Sequence, residues 1–203
     1  MSSESHRSVF LDTWTDTSAH MFDSVVAANR AALAAFGVDT DDTVDDDPTD
    51  RIEPAEDLPE WESDRTAQAR EELDVGDSFE FTKTISDDDI RRFAAVSGDT
   101  NPLHLDDEFA EGTRFGGRIA HGTLVGGLIS AALARIPGLV VYLSQDLEFH
   151  APVRVDETLT ATCKIVEDLG NSQYRLTTTV TTAADEVVID GEAVVLIDPL
   201  PEE

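Results

Sequence analysis

One long apolar stretch limits what this chain can fold into more than any other feature. Residues 119–136 read IAHGTLVGGLISAALARI and are apolar on nearly every side of a helix. A surface helix shows one apolar stripe, whereas a helix that is apolar all round is buried. Gly122, Gly126 and Gly127 lower helix propensity, so their small size indicates close packing. The stretch therefore predicts a central buried helix.

Strand-like patterns on both sides of this stretch predict what the helix packs against. Residues 77–85 alternate between apolar and polar side chains before it. Runs with alternating or β-branched residues follow it, at residues 139–149, 158–169, 174–183 and 187–197. A strand, a central helix and four further strands predict an α+β domain, in which an antiparallel sheet wraps around the buried helix.

A short helix is predicted between the first strand and the central helix. Ser86 precedes three aspartates, a pattern typical of an N-cap followed by acidic residues in the first turn. Gly98 ends the helix. We expect Ile90, Phe93, Ala94 and Val96 to form its buried stripe.

The first 72 residues differ in composition from the rest of the chain. Residues 1–37 combine a polar tail with an amphipathic helix, because apolar side chains recur at helical spacing from residue 18 to residue 36. Residues 38–72 are acidic and contain three prolines, which predicts an extended linker. Trp61 is the one aromatic residue there and is expected to pin the linker to the domain. The globular domain is predicted at residues 73–203.

The charge balance narrows the possible partners and the environment. Acidic residues outnumber lysine and arginine by 43 to 14, for a formal net charge of −29. Such a surface repels nucleic acid and anionic lipid. It suits a protein that stays soluble in high salt, where charge repulsion is screened. With no signal peptide pattern and no apolar run of membrane-spanning length, we expect a cytoplasmic protein from a high-salt organism.

A motif between the two predicted helices carries candidate chemistry. Asp99 and His104 stand five residues apart with turn-forming residues between them. A carboxylate and an imidazole held on a stiff loop beside apolar surface can bind a water molecule and transfer protons. Asn101 can hold the loop by local hydrogen bonds, and Pro102 restricts the backbone. The alternatives are that Asp99 caps a turn and that His104 is an ordinary loop histidine.

The motif and its surroundings resemble the MaoC-like dehydratase family, and most closely its (R)-specific enoyl-CoA hydratases. The resemblance covers residues 73–198, and it rests on residues 93–104 (FAAVSGDTNPLH), 115–122 (FGGRIAHG), 142–149 (YLSQDLEF) and 191–195 (GEAVV). It implies a hot dog fold, a homodimer formed by joining two sheets edge to edge, and hydration of trans-2-enoyl-CoA to (R)-3-hydroxyacyl-CoA without a metal or cofactor.

The resemblance also implies roles for individual residues. Asp99 and His104 would be the catalytic pair, and Asn101 and Pro102 would position it. Gly122 would offer a backbone N–H to the thioester oxygen, since helix N-termini present free donors. The family's serine on the central helix corresponds to Ser130, which could instead bond to a helix carbonyl.

Two other functions fit the same sequence. One is a MaoC-type dehydratase that acts on a branched or dicarboxylic acyl-CoA. The other is a non-catalytic scaffold or granule-associated protein that keeps a hot dog domain for dimerisation. Residues 25–37 resemble the alanine-rich helices of phasins, which coat polyhydroxyalkanoate granules. This implies granule association through residues 18–37 and a supply of monomers for polyhydroxyalkanoate synthesis. A helix docked on the domain or on a partner chain is the alternative.

Overall fold

The computed structural model describes residues 57–201. The predicted tail, the amphipathic helix and the linker up to residue 56 lie outside the described residues. No helix in the described range is long and apolar enough to cross a membrane.

The described chain contains six strands, four α-helices and one short 3-10 helix. In chain order they are β1 (Glu62–Arg65), the 3-10 helix (Arg70–Glu72), β2 (Ser78–Ile85), α1 (Asp87–Ser97), α2 (Pro102–Leu105), α3 (Asp107–Glu111), α4 (Gly122–Leu133), β3 (Leu139–Phe149), β4 (Glu157–Gly170), β5 (Gln173–Thr182) and β6 (Val187–Asp198). We call residues 87–111, which contain α1, α2 and α3, the helical insert.

All six strands form one antiparallel sheet in the order β1-β2-β4-β5-β6-β3. The five strands predicted from alternation are confirmed, each within one residue of its expected bounds. Among the described strands β3 pairs with β6 alone, so it forms one edge of the sheet. The predicted α+β architecture, a sheet around a central helix, is confirmed.

The helix α4 lies against one face of the sheet and forms the core with it. Its inward face carries five buried residues, Val125, Leu128, Ile129, Ala132 and Leu133. They pack in one cluster with buried sheet residues such as Phe79 and Ile165. The opposite face of α4, which includes Thr123, Gly127 and Ser130, is exposed in the single chain. The sequence predicted that this helix is buried on all sides, whereas in the single chain only its inward face is buried.

The single cysteine lies inside this core. Cys163 on β4 is fully buried, and its Sγ is 3.8 Å from the carbonyl oxygen of Ile129 on α4. Burial raises the pKa of the thiol to about 12. A thiol that stays protonated and buried is a poor nucleophile, so Cys163 is in an unreactive environment.

The predicted boundary between linker and domain at residue 73 is too late. Glu62 to Arg65 form β1, which pairs with β2, and the 3-10 helix follows it. All four residues of β1 are exposed, so this edge strand has no apolar alternation by which to recognise it. Trp61 packs edge-on against Phe81, with ring centroids 5.5 Å apart, which fits its expected pinning role.

The helical insert begins at the predicted N-cap. Ser86 accepts a hydrogen bond from the backbone N–H of Asp89, whose carboxylate accepts from the N–H of Ser86 in return. Gly98 ends α1 in the left-handed region, with φ of 78°. Ile90 and Ala94 are buried as expected.

Val96 is not buried as predicted but 88% exposed. Successive residues of an α-helix turn by about 100°, so Val96 lies about 120° around the axis from Ile90 and away from the core.

Candidate active site

The turn between α1 and α2 holds the carboxylate of Asp99 in place. Asn101 is the N-cap of α2, and its side-chain oxygen accepts a hydrogen bond from Leu103 N at 3.1 Å. Pro102 occupies the first turn of the helix, where its missing N–H costs nothing. The Asp99 Oδ1 accepts from Asn101 N at 3.2 Å. The stiffening that the sequence predicted for Asn101 and Pro102 therefore has a visible structural basis.

His104 is buried in α2 and has a defined ring orientation. Its exposed fraction is 8%, and its Nδ1 lies 2.8 Å from the carbonyl oxygen of Ile119. A carbonyl oxygen can only accept a hydrogen bond, so Nδ1 must donate. In the neutral ring this leaves the lone pair on Nε2, which is the nitrogen available to accept a proton.

His121 lies between the two candidate catalytic residues. Its Nε2 is 3.0 Å from the backbone oxygen of Asp99, to which it must donate, and its ring stacks on that of His104 with centroids 3.9 Å apart. It is 1% exposed, and its Nδ1 has no hydrogen-bond partner among residues 57–201. These contacts give His121 a structural role, because it links the backbone of Asp99 to the ring of His104.

Asp99, His104 and His121 converge, with one potential ligand atom from each lying within 4.8 Å of the others. Asp99 is exposed, whereas both histidines are buried. The spacing is compatible with a shared water molecule or a metal ion. A second group of this kind, Glu148, His150 and Asp190, lies exposed on the sheet, where a hydrogen bond to Asp190 raises the pKa of His150.

A cavity of about 320 Å³ opens beside His104. Gly122, the first residue of α4, lines it together with Val125, Phe149 and Ile189. The first N–H groups of a helix have no partner within the helix, so Gly122 N–H is available as a donor. A Cβ on Gly122 would lie 2.8 Å from Cε1 of Phe149, so a glycine allows this ring to approach the helix start.

The structure therefore brings together His104, Asp99 and the start of α4, but it does not bring Ser130 to them. Ser130 is on the exposed face of α4 and is not one of the residues that line the cavity. It is two helical turns beyond Gly122. Its functional role stays a prediction.

Arg118 is a positioning residue that the sequence did not reveal. Its side chain is 11% exposed and forms ion pairs with Asp87 on α1 and, at 2.7 Å, with Asp107 on α3. It also donates to the backbone oxygen of His104 at 3.3 Å. One guanidinium thus ties together the three helices of the insert. No local sequence pattern indicates this role, because the partners of Arg118 lie 31 and 11 residues away.

These ion pairs shift the pKa values of the groups that form them. Hydrogen bonds from Arg91 and Arg118 lower the pKa of Asp87. Hydrogen bonds to Asp107 and Asp87 raise the pKa of Arg118. Both shifts favour the charged forms, so the insert is held by charges that are present at neutral pH.

Comparison with known proteins places this site in a family. The family model described as MaoC like domain matches residues 71–188. The (R)-specific enoyl-CoA hydratase of Rhodospirillum rubrum is 43% identical over 129 residues, which cover 63% of this chain and 90% of that protein.

Two solved structures share the hot dog fold of this chain. The R-hydratase PhaJ1 from Pseudomonas aeruginosa has a TM-score of 0.61 and 40% identity, and the match covers 66% of this chain and 91% of that one. The (R)-hydratase from A. caviae involved in PHA biosynthesis has a TM-score of 0.60 and 35% identity, over 62% of this chain and 98% of that one. With the family model covering more than half of its length, the chain belongs to the MaoC-like domain family.

Proposed function

We propose that this protein hydrates trans-2-enoyl-CoA to (R)-3-hydroxyacyl-CoA. The observation that carries the proposal is the convergence of Asp99 and His104 within 4.8 Å, beside a cavity that also contains the start of α4. The (R)-specific enoyl-CoA hydratase of Rhodospirillum rubrum, at 43% identity, supports the same reaction.

The proposed chemistry assigns a task to each group. Asp99 and His104 hold one water molecule, with the free Nε2 of His104 and the Asp99 carboxylate as its acceptors. The hydroxyl group of the water adds to C3 of the enoyl chain, and the pair returns a proton to C2. The Gly122 N–H stabilises the thioester oxygen as it gains negative charge. The net change is the addition of H and OH across the double bond.

The test is loss of the enoyl absorbance of crotonyl-CoA with the wild-type protein and with Asp99→Asn and His104→Gln. General acid–base groups contribute about 10²- to 10⁴-fold, so each variant should lose at least about 100-fold in kcat. Asp88→Asn is a matched control, because Asp88 is an exposed carboxylate on α1 paired with Arg92. Activity that survives both site substitutions would contradict the proposal. Longer enoyl-CoAs and mesaconyl-CoA then define the acyl preference.

The reaction as proposed needs neither a metal nor a cofactor, because an acid–base pair and an N–H donor meet its requirements. Dialysis against a chelator should leave the crotonyl-CoA hydration rate unchanged. A rate that falls on dialysis and returns with a divalent cation would contradict this part of the proposal.

We propose that two copies pair through the edge strand β3. This strand is 11 residues long and exposes Leu139, Val141, Tyr142 and Leu143. A long edge with exposed apolar side chains is a template for pairing with another chain. Light scattering should give twice the mass of one chain, and Val141→Lys should shift it toward a monomer. A monomeric wild-type protein would refute the pairing.

We also propose that the enzyme supplies hydroxyacyl monomers for polyhydroxyalkanoate synthesis, with residues 18–37 binding the granule surface. The A. caviae (R)-hydratase involved in PHA biosynthesis supports the first part. Deletion of residues 1–56, which keeps β1 and the 3-10 helix in place, should abolish granule association while leaving hydratase activity. Unchanged granule association of the truncated protein would refute the role of residues 18–37.

The net charge of −29 supports a further proposal, that the protein works in a high-salt cytoplasm. The free energy of unfolding should be much greater in molar salt than in dilute buffer. Equal stability in the two solutions would refute this proposal.

A further inference from the structure

Arg114 stands out among the basic residues near the cavity. It is exposed and lines the same cavity as His104 and Gly122. Within residues 57–201 it forms no ion pair, and its guanidinium carbon lies over the ring of Phe115, 4.8 Å from the ring centroid. The chain has a net charge of −29, yet among the described residues no carboxylate pairs with this guanidinium at the cavity rim.

Neighbouring arginines behave differently. Arg91 pairs with Asp87, and Arg92 pairs with Asp88, each at one turn of helix spacing. Arg118 is also paired with carboxylates, as described above. Acidic residues therefore neutralise Arg91, Arg92 and Arg118. Arg154 forms no ion pair within residues 57–201, but its guanidinium donates to loop carbonyl oxygens. Arg114 is left with its charge available to a ligand.

The loop that carries Arg114 is held firmly. The Thr113 hydroxyl donates to the backbone oxygen of Ala110 at 2.7 Å and accepts from Phe115 N at 3.2 Å. Arg154 donates to the backbone oxygens of Phe115 and, at 3.2 Å, of Gly117. Arg154 thus binds the loop from the side, while the Phe115 ring supports the Arg114 guanidinium. A charged group presented in this way loses little freedom when it binds a ligand.

We propose that Arg114 binds a phosphate group of the CoA portion of the substrate. This inference rests on the proposed hydratase function and adds the residue that recognises the carrier. A guanidinium matches a phosphate with two parallel hydrogen bonds, and its strength lies in this short-range contact. The acidic surface offers the phosphates of CoA no long-range attraction, in dilute or in concentrated salt, so a short-range contact of this kind is needed at the rim. Arg114 is exposed, which suits the CoA portion of the substrate, because that portion remains outside the cavity. The apolar side chains that line the cavity suit the acyl group.

The test compares crotonyl-CoA with crotonyl-pantetheine, which carries the same thioester but no phosphate. For Arg114→Ala, KM for crotonyl-CoA should rise about 10- to 100-fold, the loss expected when a hydrogen bond between charged groups is removed. Its kcat should change less than about twofold, and KM for crotonyl-pantetheine should stay at the wild-type value. Arg114→Lys keeps the charge but not the paired hydrogen bonds. Its KM for crotonyl-CoA should therefore lie between the values for wild type and Arg114→Ala.

Arg175→Ala is the matched control. Arg175 is partly exposed and pairs with Glu167 on the sheet, and it is not one of the cavity-lining residues. Its removal should alter neither KM. An equal rise in KM for both substrates in Arg114→Ala would overturn the proposal. So would a loss confined to dicarboxylic enoyl-CoAs, because that result would place Arg114 on the acyl side.

Calorimetric titration with free CoA separates this inference from the proposed reaction. If the wild-type protein hydrates neither substrate, the proposed function fails, but the titration still measures the contact. Wild type should bind CoA about 10-fold or more tightly than Arg114→Ala, with Arg175→Ala at the wild-type value. Equal CoA affinity of wild type and Arg114→Ala would overturn the role of Arg114 whatever the enzyme assay gives.

Discussion

The helical insert and the sheet with α4 meet at the same cavity, but different forces hold them together. In the insert, the Ser86–Asp89 capping box and the ion pairs of Arg118 join short helices that bury few apolar residues. In the sheet and α4, fully buried side chains such as Ile129 and Ile165 form one cluster, and backbone ladders join the strands.

The candidate catalytic groups are divided between these two regions. Asp99 and His104 belong to the insert, and Gly122 begins the central helix. The position of His104 therefore depends in part on the charged contacts of Arg118, whereas the stability of the domain depends on apolar burial. The two properties should respond to different substitutions and to different solution conditions.

The largest expected effect is on the stability of the core. Ile129→Ala removes a fully buried side chain between α4 and the sheet, and such a change costs about 2–5 kcal/mol of unfolding free energy. Val96→Ala on the insert is the matched control, because Val96 is 88% exposed, and it should change stability by less than about 0.5 kcal/mol. Denaturant titration measures both. Equal losses of unfolding free energy in the two variants would contradict the view that apolar burial in the sheet and α4 determines the stability of the domain.

A smaller effect on stability, with a clear effect on activity, is expected in the insert. Arg118→Met keeps much of the apolar stem but removes the contacts with Asp87, Asp107 and the His104 backbone. We expect kcat for crotonyl-CoA to fall about 10-fold, with a stability loss of about 1–2 kcal/mol. Arg118→Lys retains the charge and should lose less. A fully active Arg118→Met protein would show that the ion pairs do not position His104.

The smallest effect is a change of stability with pH that originates in the insert. Hydrogen bonds from Arg91 and Arg118 lower the pKa of Asp87 in the folded state. A lowered folded pKa adds stability that is fully present above the unfolded pKa of about 3.9 and is lost as the pH falls through the folded pKa.

Asp87→Asn should therefore be less stable than wild type at pH 6, and the two proteins should converge as the pH approaches 2. Urea titrations at pH 6, 4 and 2 measure the difference. A difference that stays constant with pH would show that the charge of Asp87 does not contribute.

Local sequence patterns were sufficient for most of the fold and for part of the site. Alternation predicted β3 from residue 139 to residue 149, where the structure has it, because the side-chain period of a strand is a local property. The spacing of Asp99 and His104 predicted their convergence for the same reason, since one turn and one helix start lie between them.

Features that depend on contacts between distant residues could not be predicted in this way. Arg118 gains its role from Asp87, which is 31 residues away. The strand β1 gains its structure from pairing with β2, since its own four residues are exposed and carry no pattern. That Arg114 has no ion pair among residues 57–201 likewise becomes visible only when the partners of the neighbouring arginines are known.

The buried thiol of Cys163 can serve as a chemical probe of local opening in the core. Its thiol is the only one in the chain and lies between β4 and the Ile129 carbonyl of α4. A thiol reagent can reach it only when the helix separates from the sheet, and burial keeps it protonated, with its pKa raised to about 12. The rate of chemical labelling at this one atom therefore reports how often the central helix opens, on the slow timescale of local unfolding.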